Sequence, residues 1–275
     1  MILRGCDVSS YQGEPGQWKA AAGDFDWCGV KFTELHGTSA YLNPDAHADW
    51  SWLGQNGKLR VAYAFGHPSS SSAATARLLA NSVTDAGLTD DDAIALDLEV
   101  TDGLAPAAVN LWAASVLREL ERLLSRHAIC YTFIDFARAG NCASLGAYHL
   151  WLADPSSPAG QPRVPAPWKD WTLHQYATSP IDRDVARFAS LEDMRRALGK
   201  PQPVHGHEHI VHWHLVGVRR SMNWESHRHH TSVDDMFALA EAAGHHYKAP
   251  MADYIRRADW DAPIPEFTEL FAYGR

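Results

Sequence analysis

Over its first 200 residues the chain alternates short apolar runs with helix-like stretches, and this alternation limits the fold more than any other feature. The apolar runs are LRGCDV, WCGVKFTE, LRVAYAF, AIALDLEV, AICYTF, YHLWLA and WTLHQYA. Helical stretches are expected near Trp18, from Pro44 to Asn56, from Ser71 to Ala86 and from Pro106 to Arg126. The last has the clearest apolar spacing, about 3.6 residues, in VNLWAASVLRELERLL. Apolar strands separated by helices pair in parallel, so the expected class is α/β, a parallel sheet or barrel. In such folds the working side chains stand at the carboxyl ends of the strands.

Those ends carry acids. AIALDLEV places Asp97 and Glu99 two residues apart inside an apolar run. A strand has period two, so both carboxyls point to one side. Two like charges repel there, and burying either without a partner costs several kcal/mol or shifts its pKa. Core stability does not favour such a pair; acid–base chemistry does. Asp7 and Glu34 fall at two other strand ends, and Asp182 and Asp184 follow Tyr176.

Charge and composition exclude several classes. The net charge is -9, with no basic stripe, so a nucleic-acid partner is not expected. No run of eighteen apolar residues exists, so no membrane span is expected. The start, MILRGCDVSS, lacks a basic segment followed by a long apolar one, and no signal peptide is expected. Eleven tryptophans and nine tyrosines supply rings of the kind that neutral sugars stack on. Cys6, Cys28, Cys130 and Cys142 form no CxxC pair, which removes zinc-ribbon and thioredoxin readings. Free buried thiols are expected, with a disulfide left open.

GCDVSSYQG, VKFTELHGTSAYLNP, ALDLEV and LHQYATSPIDRDVARF occur in that order between about Arg4 and Phe188. Together they resemble the glycoside hydrolase family 25 muramidases, the Chalaropsis-type lysozymes. CYT at Cys130–Thr132 and LWLA at Leu150–Ala153 match further strand ends of that family. The chain departs from the pattern at Leu35, where glycine is usual, and at Tyr63-Ala64-Phe65, where Tyr-His-Phe is common. Pro155 replaces an aromatic residue.

The resemblance implies an irregular TIM-like β/α barrel over residues 1–200. It also implies hydrolysis of the β-1,4 bond between N-acetylmuramic acid and N-acetylglucosamine in bacterial peptidoglycan, with no metal and no cofactor. Breaking a glycoside needs a proton for the leaving oxygen and a negative group to support an oxocarbenium-like transition state. Glu99 is the expected general acid, its ionisation held back by Asp97. In the family, Asp97 would orient the substrate N-acetyl group, whose oxygen would act as internal nucleophile; an inverting route stays open. Asp7 and Asp182 would complete an acidic floor. Asp182 competes with Asp184, and the family pattern, an Asp, any residue, then often Asn, favours Asp182. Glu34 is expected either as a sugar ligand or as a structural hydrogen-bond partner. Tyr11, Tyr63, Tyr131 and Trp151 are candidate sugar platforms or core residues, and Gln175 and Tyr176 candidate supports.

GKPQP near residue 200 marks a change in composition. Ten of the sixteen histidines follow it, as HGHEHIVHWH, HRHH and HH. No metal-site pattern with a defined ligand set is present, so surface histidines are expected. A helix is expected in TSVDDMFALAEAAGHH. Residues 201–275 are thus expected to form a second, His-rich unit of unknown role. Two functions compete: an enzyme that cuts cell-wall glycan, from a phage or a secreted autolysin, and a non-catalytic glycan-binding module on the same barrel.

Overall fold

The structure, a computed structural model, describes residues 2–200. The expectations for the His-rich segment 201–275 lie outside the described residues.

Eight strands close into a barrel: β1 (Leu3–Val8), β2 (Trp27–His36), β4 (Leu59–Phe65), β5 (Ala93–Asp97), β6 (Ala128–Phe133), β7 (His149–Ala153), β8 (Leu173–Ala177) and β9 (Asp182–Ala186). The ring closes where β1 pairs with β2 in parallel, Gly5 opposite Trp27. Neighbours from β1 through β2, β4, β5, β6 and β7 to β8 run parallel, as the alternation predicts. The last strand does not. β9 runs antiparallel to both β8 and β1. A further short strand, β3 (Ser39–Leu42), folds back on β2 as an exposed hairpin. Neither β3 nor β9 was expected: SAYL and DRDVA are short, and DRDVA carries three charges in five residues.

The helices are α1 (Pro15–Ala22), α2 (Ala46–Gln55), α3 (Ser72–Asp85), α4 (Pro106–Leu124), a single turn α5 (Ile134–Phe136) that runs into a π-type turn, and α6 (Leu191–Leu198). α4 begins with Pro106 in its first turn, where the missing N–H costs nothing. It buries Val109, Trp112, Ala113, Val116, Leu117 and Leu120, one face at helical spacing, against the strands. Ser71 caps α3 by accepting from the Ala74 amide, and Ser190 caps α6 by accepting from the Asp193 amide. No helix among the described residues is long and apolar enough to cross a membrane.

Strand alternation sorts the core into two layers. Cys6, Val30, Ala62, Leu96, Cys130 and Leu152 face outward onto the helices. Leu3, Trp27, Leu59, Val61, Ala95, Ile129, Trp151 and Leu173 fill the barrel, and Met194 and Leu198 of α6 join this inner cluster. The two indoles are large for a barrel interior, and the strands make room with glycine. A Cβ on Gly5 would collide with Trp27, and one on Gly29 would lie 2.5 Å from Trp151. All four cysteines are buried and free, with the Cys6 and Cys28 sulfurs 3.3 Å apart.

Candidate active site

The inward face of each strand continues to the barrel mouth, where it turns from apolar to acidic. Leu3 and Gly5 lead to Asp7, and Ala93 and Ala95 lead to Asp97. AIALDLEV is strand only as far as Asp97; beyond it the Leu98 amide still donates to Tyr131 O at 2.9 Å. That bond carries the extended backbone far enough to set Glu99 beside the mouth. β9 enters from the other direction, so its first residue, Asp182, meets Asp7 in register.

A cleft of about 500 Å³ opens here. Asp7, Asp97, Glu99 and Asp182 line it, with Tyr63, Tyr131, Trp151 and Gln175. Seven of the eight come from seven different strands, and Glu99 follows β5, so only barrel closure brings them together. Gln175 Nε2 donates to Asp7 Oδ2 at 2.8 Å, and the Tyr131 hydroxyl donates to Gln175 Oε1 at 2.9 Å. Tyr131 also lies within hydrogen-bonding reach of Glu99.

All four carboxyls are pushed up. Burial raises Asp7 to about 7, helped by the charge of Asp182, while hydrogen bonds from Gln175 and Asp184 pull the other way. Burial raises Asp182 to about 6. Asp97 rises well above the carboxylate range through burial and then the charge of Glu99. Glu99 is raised by burial; its contact with Tyr131 opposes this, and Asp182 adds to it. Repulsion between Asp97 and Glu99 acts on both members of the pair, and the charge of Asp182 adds to it at Glu99. The pair titrates as a unit that retains a proton toward neutral pH.

Two expected sugar ligands are not on this wall. Tyr11 stands 94% exposed on the loop after β1, with no part in the cleft. Glu34 is held at 2.7 Å by Lys31 Nζ and at 2.9 Å by His67 Nε2, and the cleft is lined without it. Burial pushes the Glu34 carboxyl up, but the bonds from Lys31 and His67 outweigh it and hold the group low. Of its two expected roles, the structure displays the hydrogen-bond partner. The candidate platforms also divide. Trp151 is 1% exposed and packs edge-on against Trp27, Tyr63 and Tyr131, so its ring has no open face for a sugar. Tyr63 is likewise buried, its hydroxyl donating to Val8 O at 3.3 Å. Tyr131 and Phe133 are the half-buried rings on the cleft wall. Phe133 was missed, although the alternation that singles out Tyr131 also selects the residue two positions on.

Asp184, the competitor that the family pattern passed over in favour of Asp182, lies deeper in the barrel. It is fully buried and follows Asp182 on the inward face of β9. Its Oδ1 accepts from Trp151 Nε1 at 2.8 Å. Burial, then the charge of Asp7, raise it well above the carboxylate range.

Behind Glu34, His67 Nδ1 bonds Asp102 at 3.0 Å, and the Ser69 amide and hydroxyl hold the other Asp102 oxygen. Burial lowers the His67 pKa, but its two carboxylate partners outweigh it and raise it. His36, His67 and Asp102 bring three possible metal-ligand atoms within 4.8 Å of one another. The two imidazoles stack 4.3 Å apart and 19° from parallel, so their in-plane lone pairs do not converge. Both His67 nitrogens are already engaged. The group is a strut that fixes Glu34 and, through it, Lys31, the cation that lowers Asp97 and Glu99.

No curated protein matches the chain. Among solved structures it is similar to a family GH25 lysozyme from Aspergillus fumigatus, with 24% identity over 72% of this chain and 100% of that one, TM-score 0.62. A muramidase from Acremonium alcalophilum shows 25% identity over 71% of this chain and 98% of that one, TM-score 0.61. A lysozyme from Streptomyces coelicolor shows 23% identity over 71% and 96%, TM-score 0.60. The sequence pattern of the glycosyl hydrolases family 25 matches residues 6–185, a span that contains all four acids of the cleft, and the chain belongs to that family.

Proposed function

We propose that the chain is a lysozyme that hydrolyses the β-1,4 bond between N-acetylmuramic acid and N-acetylglucosamine in peptidoglycan, with Glu99 as general acid. The observation that carries this reading is the convergence of Asp7, Asp97, Glu99 and Asp182 on one cleft at the barrel mouth, in a chain of this family. Solved structures similar to it are lysozymes and muramidases by name.

The chemistry follows from the shared proton. A leaving glycosidic oxygen needs a proton donor, and a positive sugar ring needs a negative neighbour. Two coupled carboxyls with one proton between them supply both. Glu99 sits at the open side of the pair and hands its proton to the leaving oxygen. Asp97, deeper and two residues back, takes the substrate acetamide, which then closes on the anomeric carbon as internal nucleophile. Asp7 and Asp182, which ionise near neutrality, activate and position the incoming water. Tyr131 and Phe133 offer the sugar a partly open aromatic wall.

Digestion of purified peptidoglycan, with the new reducing ends assigned by mass spectrometry, tests this. Reducing N-acetylmuramic acid supports the reading; reducing N-acetylglucosamine makes the enzyme a glucosaminidase. Binding without cleavage would instead favour a glycan-binding module. Lysis of a host bacterium by a phage is the setting proposed for the activity, and turbidity loss of intact bacterial walls tests it.

A further inference from the structure

Asp184 is a carboxyl without charge compensation among the described residues. It is 0% exposed, beneath the acidic floor and inside the barrel. Register fixes its position: on β9 it lies opposite Gly5, two residues from the Asp7–Asp182 pair, and opposite Gln175 on β8. Gly5 carries no side chain, and the Trp27 indole fills the space above it. The Trp151 indole donates to Asp184 Oδ1. Oδ2 receives no hydrogen bond from any N–H or hydroxyl donor among the described residues. On the paired strand β1 the register makes Asp7 the diagonal inward neighbour of Asp184, its carboxyl within reach, and one of two adjacent acids must carry a proton for a hydrogen bond to join them.

We propose that Asp184 is a positioning residue kept as a neutral carboxylic acid, which donates its proton to the Asp7 carboxylate from beneath and so fixes the floor of the cleft. Three observations assign the proton to Asp184 rather than Asp7. Asp184 is the more enclosed of the two, with no ion pair, whereas Asp7 lines the cleft. Asp7 already accepts from Gln175 Nε2, a bond that favours its ionised form. Among the described residues, the titratable groups around Asp184 are Asp7 of β1 and Tyr131 of β6 on the inward side and Cys6 of β1 on the outward side; none of them is a cation, and Trp151 of β7 only donates. A buried acid without a cation keeps its proton, and a neutral carboxylic acid can then serve as a hydrogen-bond donor. The acid thereby does the work of an amide, giving with one atom and accepting with the other.

The proposal deepens the lysozyme reading, but its main readouts do not use turnover. Infrared spectra of the full chain and of Asp184→Asn are compared near neutral pH. The variant is expected to lose intensity in the C=O stretch of a protonated carboxylic acid; unchanged intensity overturns the proposal. Linkage supplies a second measure. A group that binds its proton more tightly when folded makes stability fall as pH rises above its unfolded pKa of about 3.9. Removing it should reduce the slope of the unfolding constant against pH by about tenfold per pH unit, and an unaltered slope overturns the proposal. If Asp184→Asn does not fold, the ¹³C carboxyl shift of Asp184 in the wild-type chain decides. It stays at the protonated value between about pH 5 and 7 if the proposal holds, and moves to the carboxylate value if it does not. On peptidoglycan, the amide of Asp184→Asn supplies the same donor, so its turnover should exceed that of Asp184→Ala by about tenfold or more. Equal loss in both folded variants makes Asp184 a packing residue only.

Discussion

The two ends of the barrel treat buried carboxylates in opposite ways. At the amino end of the strands, Asp92 precedes β5 and is held by Arg60 through a two-pronged contact, Nε to Oδ1 at 2.7 Å and Nη2 to Oδ2 at 2.6 Å. The Thr89 amide and hydroxyl bond the same carboxylate. Arg60 also stacks on Trp50 and donates to its carbonyl. At the carboxyl end, Asp7, Asp97, Glu99 and Asp182 crowd one cleft, and Lys31 is the cation near them. The same strands and the same residue type are involved at both ends. A paired carboxylate ties segments together; uncompensated ones hold protons within reach of neutral pH and lend themselves to proton transfer.

Substitutions at the two ends should therefore fail in different ways. The largest effect is expected from Glu99→Gln, which keeps the shape but removes the proton. Turnover of peptidoglycan should fall about 10²- to 10⁴-fold, with a melting temperature close to wild type. Activity within a few-fold of wild type would remove Glu99 from its role. Asp92→Ala should do the reverse. It strands the Arg60 charge and should cost about 3–5 kcal/mol of stability in denaturant unfolding, while the folded fraction cleaves normally. Loss of activity without loss of stability would show that the amino end is not purely structural.

Asp182→Asn probes the crowding itself. Its charge raises Glu99, so removing it lowers the Glu99 pKa, and the essential proton is lost sooner as pH rises. The alkaline limb of kcat/KM should move to lower pH, by about one unit or less. An upward move would contradict the arrangement of charges described above.

The smallest effect is expected outside both ends. Asp49 on α2 is fully buried, bonded by Trp18 Nε1 at 2.8 Å, and pushed up to about 7 by burial, with Asp45 and Glu14 adding to it. Its folded pKa lies above the unfolded one, so its contribution is complete below about pH 4 and is lost as pH rises toward 7. Asp49→Asn should flatten the melting temperature against pH across that window, with turnover untouched. An unchanged profile would mean that burial alone does not raise a carboxyl in this fold.

Much of the site was legible because it is written locally. Asp97 and Glu99 stand out as acids in an apolar run, and Asp7 and Gln175 lie at or near strand ends that hydrophobic patterning finds. The part that was not legible depends on neighbours from far along the chain. DRDVA does not read as a strand, since two of its inward positions are acids; pairing with β1 and β8 makes it one. Glu34 carries no mark in the sequence of being held by His67, thirty-three residues on. Trp151 and Tyr63 have the composition of sugar platforms, and only packing shows their rings spent inside the barrel.

By itself, then, the sequence determined the succession of strands and helices, the inward and outward faces of most strands, and the presence of acids at the mouth. These follow from side-chain period within single segments, which needs no partner. The tertiary structure decided that β9 runs backward, that Asp7 meets Asp182, and that Asp97 and Asp184 are driven toward their protonated forms. Burial and Coulomb interaction are set by distances between segments remote in the chain, and closing the barrel is what creates those distances.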